Sequence, residues 1–287
     1  MTRILLLLLI LVEVTAASAQ TGSEILLFDL KIKKNKVSIS NPKNISNHPG
    51  YDNQPGFNRE EPIIYFSSFN EDGRSDIRAY NYEKNELTSL TQTQEREYSP
   101  THTPDKGFIS CIIQRDNGAQ DLGKYPLDGG DPVVIIDNLI VGYHAWADNS
   151  HLALFVLGDP NTLHYMRLPT KEDTILAQNV GRSLHRIPGG GISFVHKISA
   201  TDWQVKKLDS KTMTITTLAP TLPGREDLAW SPNGFIFSSD GSKIFILNPA
   251  EKVWREIQIT SGQELLKGVT RLAVSAKGDK LAVVVAE

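Results

Sequence analysis

Three histidines recur at nearly equal spacing: His102, His144 and His185 stand 42 and 41 residues apart. Imidazoles brought to one axis could hold a metal ion with Glu97, Glu226 or Asp227. They could also serve as acid and base in a lyase or a hydrolase. The segments around them are polar: REYSP (96–100), VGYHAW (141–146), VGRSLHR (180–186), GREDLAW (224–230) and VTRLAV (269–274). Arginines alternate there with carboxylates. Glu97, Tyr98, Tyr143, His144, Arg182, His185, Glu226, Asp227 and Arg271 form the candidate ligand-binding set. Such a set suits an anionic or zwitterionic ligand, because the guanidinium fork matches a carboxylate. The same groups can instead satisfy one another as ion pairs.

Spacings of 42 and 41 are not a local ligand motif. They are the period of an internal repeat. The residues equivalent to Trp146 are Phe57, His102, Trp146, Arg186, Trp230 and Val274, at intervals of 45, 44, 40, 44 and 44. Turn chemistry follows each of them, in NREEP (58–62), TPDKG (103–107), ADNS (147–150), IPGGG (187–191), SPNG (231–234) and SAKG (275–278). Pro, Asp, Asn and Gly supply the backbone angles of a tight hairpin. An apolar or alternating run of strand length comes next, such as IIYFSSF (63–69), FISCIIQ (108–114), HLALFVL (151–157) and KLAVVVA (280–286). Third and fourth strands complete most copies, as in DIRAYNY (76–82) with ELTSLT (86–91). Long helical periodicity is absent, and the best helical window is the short GQELLKG at 262–268.

A second series marks the turn between third and fourth strands: Asn81, Asp128, Pro169, Asp209 and Asn248, with Asp29 as a sixth member near the start. Thus EILLF (24–28) and KVSIS (36–40) read as a third and fourth strand without the first two, and the last repeat supplies a first and second strand without the others. Joined, the halves make a sixth unit and remove the exposed edges of an open array. The predicted fold is all-β: a six-bladed β-propeller of four-stranded blades over residues 24–287, closed by N-terminal strands that complete the last blade. Trp146 and Trp230 are expected to pack between blades.

The column of His144 otherwise holds Pro55, Pro100, Leu184, Leu228 and Leu272, so one polar group replaces apolar or rigid ones. His102, His144 and His185 fall in three adjacent columns and must alternate in facing. His102 stands in the packing column, where a hydrogen-bonded core histidine is expected. His48, His151, His164 and His196 read as surface or packing residues. No metal ligand set and no cofactor is assigned. A G-x-S-x-G elbow, a phosphate-binding loop, a dinucleotide glycine pattern and a Cys/His cluster are all absent, so catalytic residues are not identified. GGGIS (189–193) reads as a hairpin turn.

With 287 residues, 40% hydrophobic content and a formal net charge of -3, the chain can bury a large core. Charge is mixed along it, which argues against a nucleic-acid surface. Arg3, the apolar run at 4–12 and ASA at 17–19 have the layout of a signal peptide over residues 1–19, and the run is too short to span a bilayer. The mature protein is expected in the periplasm or secreted, without a membrane span and as a monomer. Cys111 is the only cysteine, so no internal disulfide forms, and its strand-like surroundings predict a buried, inert thiol. NIS (44–46) matches a glycosylation acceptor.

YSPTHTPDKG (98–107), AWSPNG (229–234), YPLDGGDPVVI (125–135) and NELTSLT (85–91) resemble the repeats of the TolB-like propeller family. There a Ser-Pro-Asp-Gly turn, an Asp-Gly-Gly turn and a closing Leu-Thr recur in each blade. ADNS and IPGGG depart from that pattern in blades 3 and 4. The resemblance covers nearly all of residues 24–287. It implies a periplasmic or secreted propeller that binds an envelope protein, a peptide or a small anionic ligand. The α/β domain that precedes the propeller in TolB itself is expected to be missing here. The alternative is a lyase or lactonase-like hydrolase acting at the channel mouth, with or without a metal ion.

Overall fold

The six positions read from the repeat all end an inner strand. Phe57, His102, Trp146, Arg186, Trp230 and Val274 are the final residues of Asp52–Phe57, Arg96–His102, Val141–Trp146, Val180–Arg186, Ala229–Trp230 and Arg271–Val274. The computed structural model describes residues 22–33 and 36–287. The expected signal peptide at 1–19 lies outside the described residues.

Each inner strand opens a four-stranded antiparallel blade. Blade 1 continues through Ile63–Phe69, Ser75–Asn81 and Glu86–Ser89, and blade 2 through Phe108–Gln114, Gln120–Pro126 and Val133–Ile136. Blade 3 continues through His151–Val156, Thr162–Arg167 and Glu172–Gln178, and blade 4 through Ile192–Lys197, Trp203–Leu208 and Ile215–Pro220. Blade 5 adds Ile236–Ser239, Ile244–Leu247 and Trp254–Glu256. Blade 6 joins both ends of the chain: Lys280–Ala286 pairs with Arg271–Val274 on one side and with Ser23–Lys33 on the other, and Lys36–Asn44 follows. The short strand Gln258–Ile259 runs parallel to Lys36–Asn44 and covers its outer edge. Closure is therefore as the split repeat predicts.

One position of the second series is corrected. Asp29 does not sit in a turn. It lies inside Ser23–Lys33, next to a register shift between Leu27 and Asp29, and holds Asn41 and Lys280 through its carboxylate. The strand runs on to Lys33 because its residues keep pairing with Lys36–Asn44.

Second strands are apolar at nearly every position because a blade is covered on both faces by its neighbours. Ile63–Phe69, Phe108–Gln114 and Lys280–Ala286 each bury their five central residues. Six apolar clusters fill the six seams between blades. Trp146 is 4% exposed in the seam between blades 2 and 3, and Trp230 packs between blades 4 and 5. A buried indole of this kind contributes roughly 1.5–3 kcal/mol. Gly56 lets blade 1 approach blade 2 closely, since a Cβ there would run into the Pro100 carbonyl. Cys111 is fully buried, and burial pushes its thiol well above the ordinary value. Among the described residues the one helical turn is Gln263–Leu265, and no helix is long and apolar enough to cross a membrane.

Candidate functional site

The six inner strands surround a channel of about 700 Å³. The end toward the strand starts, the expected mouth, is lined by Tyr143, Arg182, Asp227 and Arg271, and the far end, where the strands finish, by Arg59, Arg186 and the turn residues Gly189, Gly190 and Pro232. Of the nine candidate residues, Tyr143, His144, Arg182, His185, Asp227 and Arg271 line it. Blades 4, 5 and 6 bring three of them into one charged cluster. Arg182 donates from Nε and Nη2 to the two oxygens of Asp227 at 3.2 and 2.7 Å. Arg271 donates to the same carboxylate from Nη1 and reaches the Tyr143 hydroxyl from Nη2 at 2.8 Å. Burial opposes the charge of Arg182, yet the Asp227 carboxylate beside it holds the guanidinium above its ordinary value. One carboxylate thus bridges two guanidiniums, so ion pairing accounts for part of the mouth.

The other three candidates do not join them. Glu226 turns behind the mouth, where it accepts the Arg182 backbone N–H at 3.0 Å and pairs with Lys197 at 3.2 Å. Tyr98 packs edge-on to Tyr51, with ring centroids 6.5 Å apart. Glu97 is fully buried between blades 1 and 2. It accepts hydrogen bonds from Thr93 at 2.6 Å and Tyr125 at 2.9 Å. Burial pushes its carboxyl up to about 7. Glu97 faces the seam because side chains alternate along the strand, and the pairing of Arg96–His102 slips between Tyr98 and Thr101.

The three histidines do not converge. His102 is fixed at both nitrogens: Nδ1 accepts the Arg59 backbone N–H at 3.0 Å, and Nε2 donates to the Lys106 carbonyl at 3.2 Å. It is the hydrogen-bonded core histidine expected from its column. The Nε2 of His144 lies 2.7 Å from the Ser110 hydroxyl, while its Nδ1 is buried without a partner. Burial pushes its pKa down to about 3. His185 remains partly open to the channel, with Nε2 3.0 Å from Ser183 Oγ. Desolvation pulls it down to about 4, against the pull of nearby Asp227. Among the described residues no group of three His, Cys, Asp or Glu side chains could hold a metal ion.

Two channel residues were not singled out by the sequence. Arg186 ends the inner strand of blade 4, and Arg59 follows the inner strand of blade 1. Arg186 stands in the column that elsewhere carries Phe, His, Trp and Val, and that mismatch is the signal available in sequence. The channel lining then holds four arginines and one carboxylate, an excess of three positive charges.

No protein-family model matches the chain, and no curated protein matches it. Its fold is shared with solved structures of TolB-like six-bladed propellers. One, from Agrobacterium tumefaciens and described as a TolB, superposes with a TM-score of 0.71 at 14% identity, over 94% of this chain and 99% of that one. TolB from Acinetobacter baumannii matches with a TM-score of 0.63 at 15% identity, over 83% of this chain and 64% of its own. An oligogalacturonate lyase in complex with manganese matches with a TM-score of 0.58 at 12% identity, over 94% of this chain and 98% of that one. At such identities the likeness is one of fold, and propellers of one fold host different functions.

Proposed function

We propose that this protein is an exported binding module of the cell envelope, whose axial channel receives an anionic ligand or the acidic group of a protein or peptide. The observation that carries this reading is the charge of the channel lining, with four arginines against Asp227 alone. A channel of about 700 Å³ falls in the range of small-molecule sites. Fields of one sign focused in such a cleft attract ligands of the other. The TolB-like neighbours give the envelope reading its support.

A second reading, a lyase acting in the channel, draws on the oligogalacturonate lyase neighbour and on His185, which opens to the channel. Acid–base catalysis works best with a group titrating near the operating pH. His144 and His185 lie far below that, at about 3 and about 4. Glu97 lies near it but is sealed in a seam. The charge of the channel lining puts the binding reading first.

Calorimetric titration of the mature protein at low ionic strength, with inorganic phosphate, succinate and oligogalacturonate, tests both readings. The binding reading expects saturable binding that weakens with salt and leaves the anion unchanged. Release of an unsaturated end from oligogalacturonate would put the lyase ahead, and absence of binding by all three anions would overturn the channel reading.

A further inference from the structure

The two ends of the channel differ in how their arginines are satisfied. At the mouth, Arg182 and Arg271 share Asp227, and Arg182 also lies 3.8 Å from Glu226. At the far end, Arg59 and Arg186 line the same cavity, whose only acidic lining residue is Asp227. Arg182 lies in the irregular stretch of the strand Val180–Arg186, where the pairing shifts between Val180 and Leu184, and Arg186 stands at the strand's end. The ion pairs of Asp227 go to Arg182 and Arg271 and none to Arg186.

Topology sets the two far-end arginines against each other. Blades follow one another around the ring, so blade 1, which carries Arg59, lies opposite blade 4, which carries Arg186. Burial, and then the charge of Arg186, hold the Arg59 guanidinium below its ordinary value. No carboxylate contributes to that balance. Two guanidiniums facing across a channel repel each other unless an anion lies between them. The nearest surface carboxylate in sequence, Glu60, is occupied by Lys106. The IPGGG turn at this end leaves room: nothing lies within 4 Å of where a Cβ would stand on Gly189 or Gly190.

We propose that the far end of the channel is a binding site for a compact dianion, phosphate or dicarboxylate, clamped across the axis by Arg59 of blade 1 and Arg186 of blade 4. This rests on the anion-binding reading of the channel and adds where the charge is held. Both guanidiniums can present paired N–H donors to oxygens of one ligand. Arg59 supports His102 with its backbone N–H, a contact that its substitution keeps, and Arg186 is exposed.

The test is calorimetric titration of inorganic phosphate and of succinate into the wild-type protein, Arg59→Gln, Arg186→Gln, the double variant and Arg271→Gln. Thermal unfolding of each variant checks the fold. Each far-end single variant is expected to weaken binding about tenfold and the double variant to abolish it. Tighter phosphate than succinate assigns the site to a tetrahedral oxyanion, and the reverse order assigns it to carboxylates. Binding that survives in the double variant and disappears in Arg271→Gln would place the anion at the mouth, overturning the far-end site while leaving the channel reading intact. Absence of binding by the wild-type protein would overturn both.

Discussion

Trp146 donates its indole N–H to the Ser110 hydroxyl at 2.8 Å, across the seam between blades 2 and 3. Trp230 repeats the contact two blades on, donating to Ser193 at 2.8 Å across the seam between blades 4 and 5. The serine stands on the second strand of one blade and the tryptophan on the inner strand of the next. A repeated tryptophan therefore does two jobs, filling the seam and fastening it with a polar contact that has a fixed direction.

Ser110 carries more than Ser193. It also meets His144 Nε2 at 2.7 Å and donates to the Thr101 carbonyl at 3.1 Å. Ser110→Ala leaves both the indole N–H and an imidazole nitrogen without partners in a dry seam. We expect it to cost about 2–4 kcal/mol, and Ser193→Ala about 1–2 kcal/mol, since a lost buried partner costs more than the net bond. Urea unfolding of the two variants measures the order. Equal or reversed losses would show that the seam serine is not the shared acceptor.

His144 stays neutral across the physiological range. Its native pKa of about 3 lies below the ordinary 6.5, so from 6.5 downward the unfolded chain binds a proton that the native state refuses. This histidine therefore subtracts stability as the pH falls through that window. Ring resonances of His144 in the folded protein should not move between pH 8 and pH 5. A midpoint above 5 would mean that water or an anion reaches the ring.

Glu97 acts in the opposite sense. Its native value of about 7 exceeds the ordinary 4.5, so between those values the native state keeps a proton that the unfolded chain has lost. Its contribution is fully present below about 4.5 and declines as the pH rises to about 7. Buried Asp52, pushed up to about 6 by burial, adds to the same slope. Glu97→Gln keeps an acceptor for Tyr125 and removes the titration. At pH 8 the variant is expected to be more stable than wild type by about 2–3 kcal/mol. Chemical denaturation at pH 5 and pH 8 provides the comparison, and a variant less stable at both would refute the account.

Asp227 is the hub of the mouth. Asp227→Asn strips Arg182 and Arg271 of their shared counter-charge while all three side chains are partly or largely buried. A loss of about 2 kcal/mol is expected, below the cost for a fully buried pair because solvent reaches Arg182. The channel lining then carries arginines and no carboxylate, so phosphate should bind more tightly than to wild type. Unchanged stability together with unchanged phosphate affinity would remove Asp227 from the centre of the site.

The ring was legible because its period is written in turn residues and a packing column, both local signals. Each of the six positions ends an inner strand, and the split repeat foretold the closure of blade 6. Facing was harder to read. Glu97 and Asp227 both precede their column residue by a few positions, yet one lies in a seam and the other in the channel. The slip in pairing between Tyr98 and Thr101 is a matter of neighbouring strands and leaves no mark in the local sequence. Asp29 resembled a turn residue for the same reason, since a bulge inside a strand uses similar chemistry. Arg186 was hidden by its own column, where position suggested packing although its charge did not. Arg59 lies past the strand end, and only the ring brings it to the axis.

The seam of blade 6 also sets an order of events for a chain that emerges amino end first. Ser23–Lys33 gains its neighbour only when Lys280–Ala286 has been made, about 250 residues later. Until then the two seams that flank blade 6 cannot be completed, and the ring stays open like a clasp whose two halves lie far apart on the necklace. A nascent chain of this kind exposes a long apolar strand throughout its synthesis, which makes it slow to mature and dependent on protection against mispairing. Once the clasp shuts, Ser23–Lys33 and Lys280–Ala286 hold each other along seven paired positions.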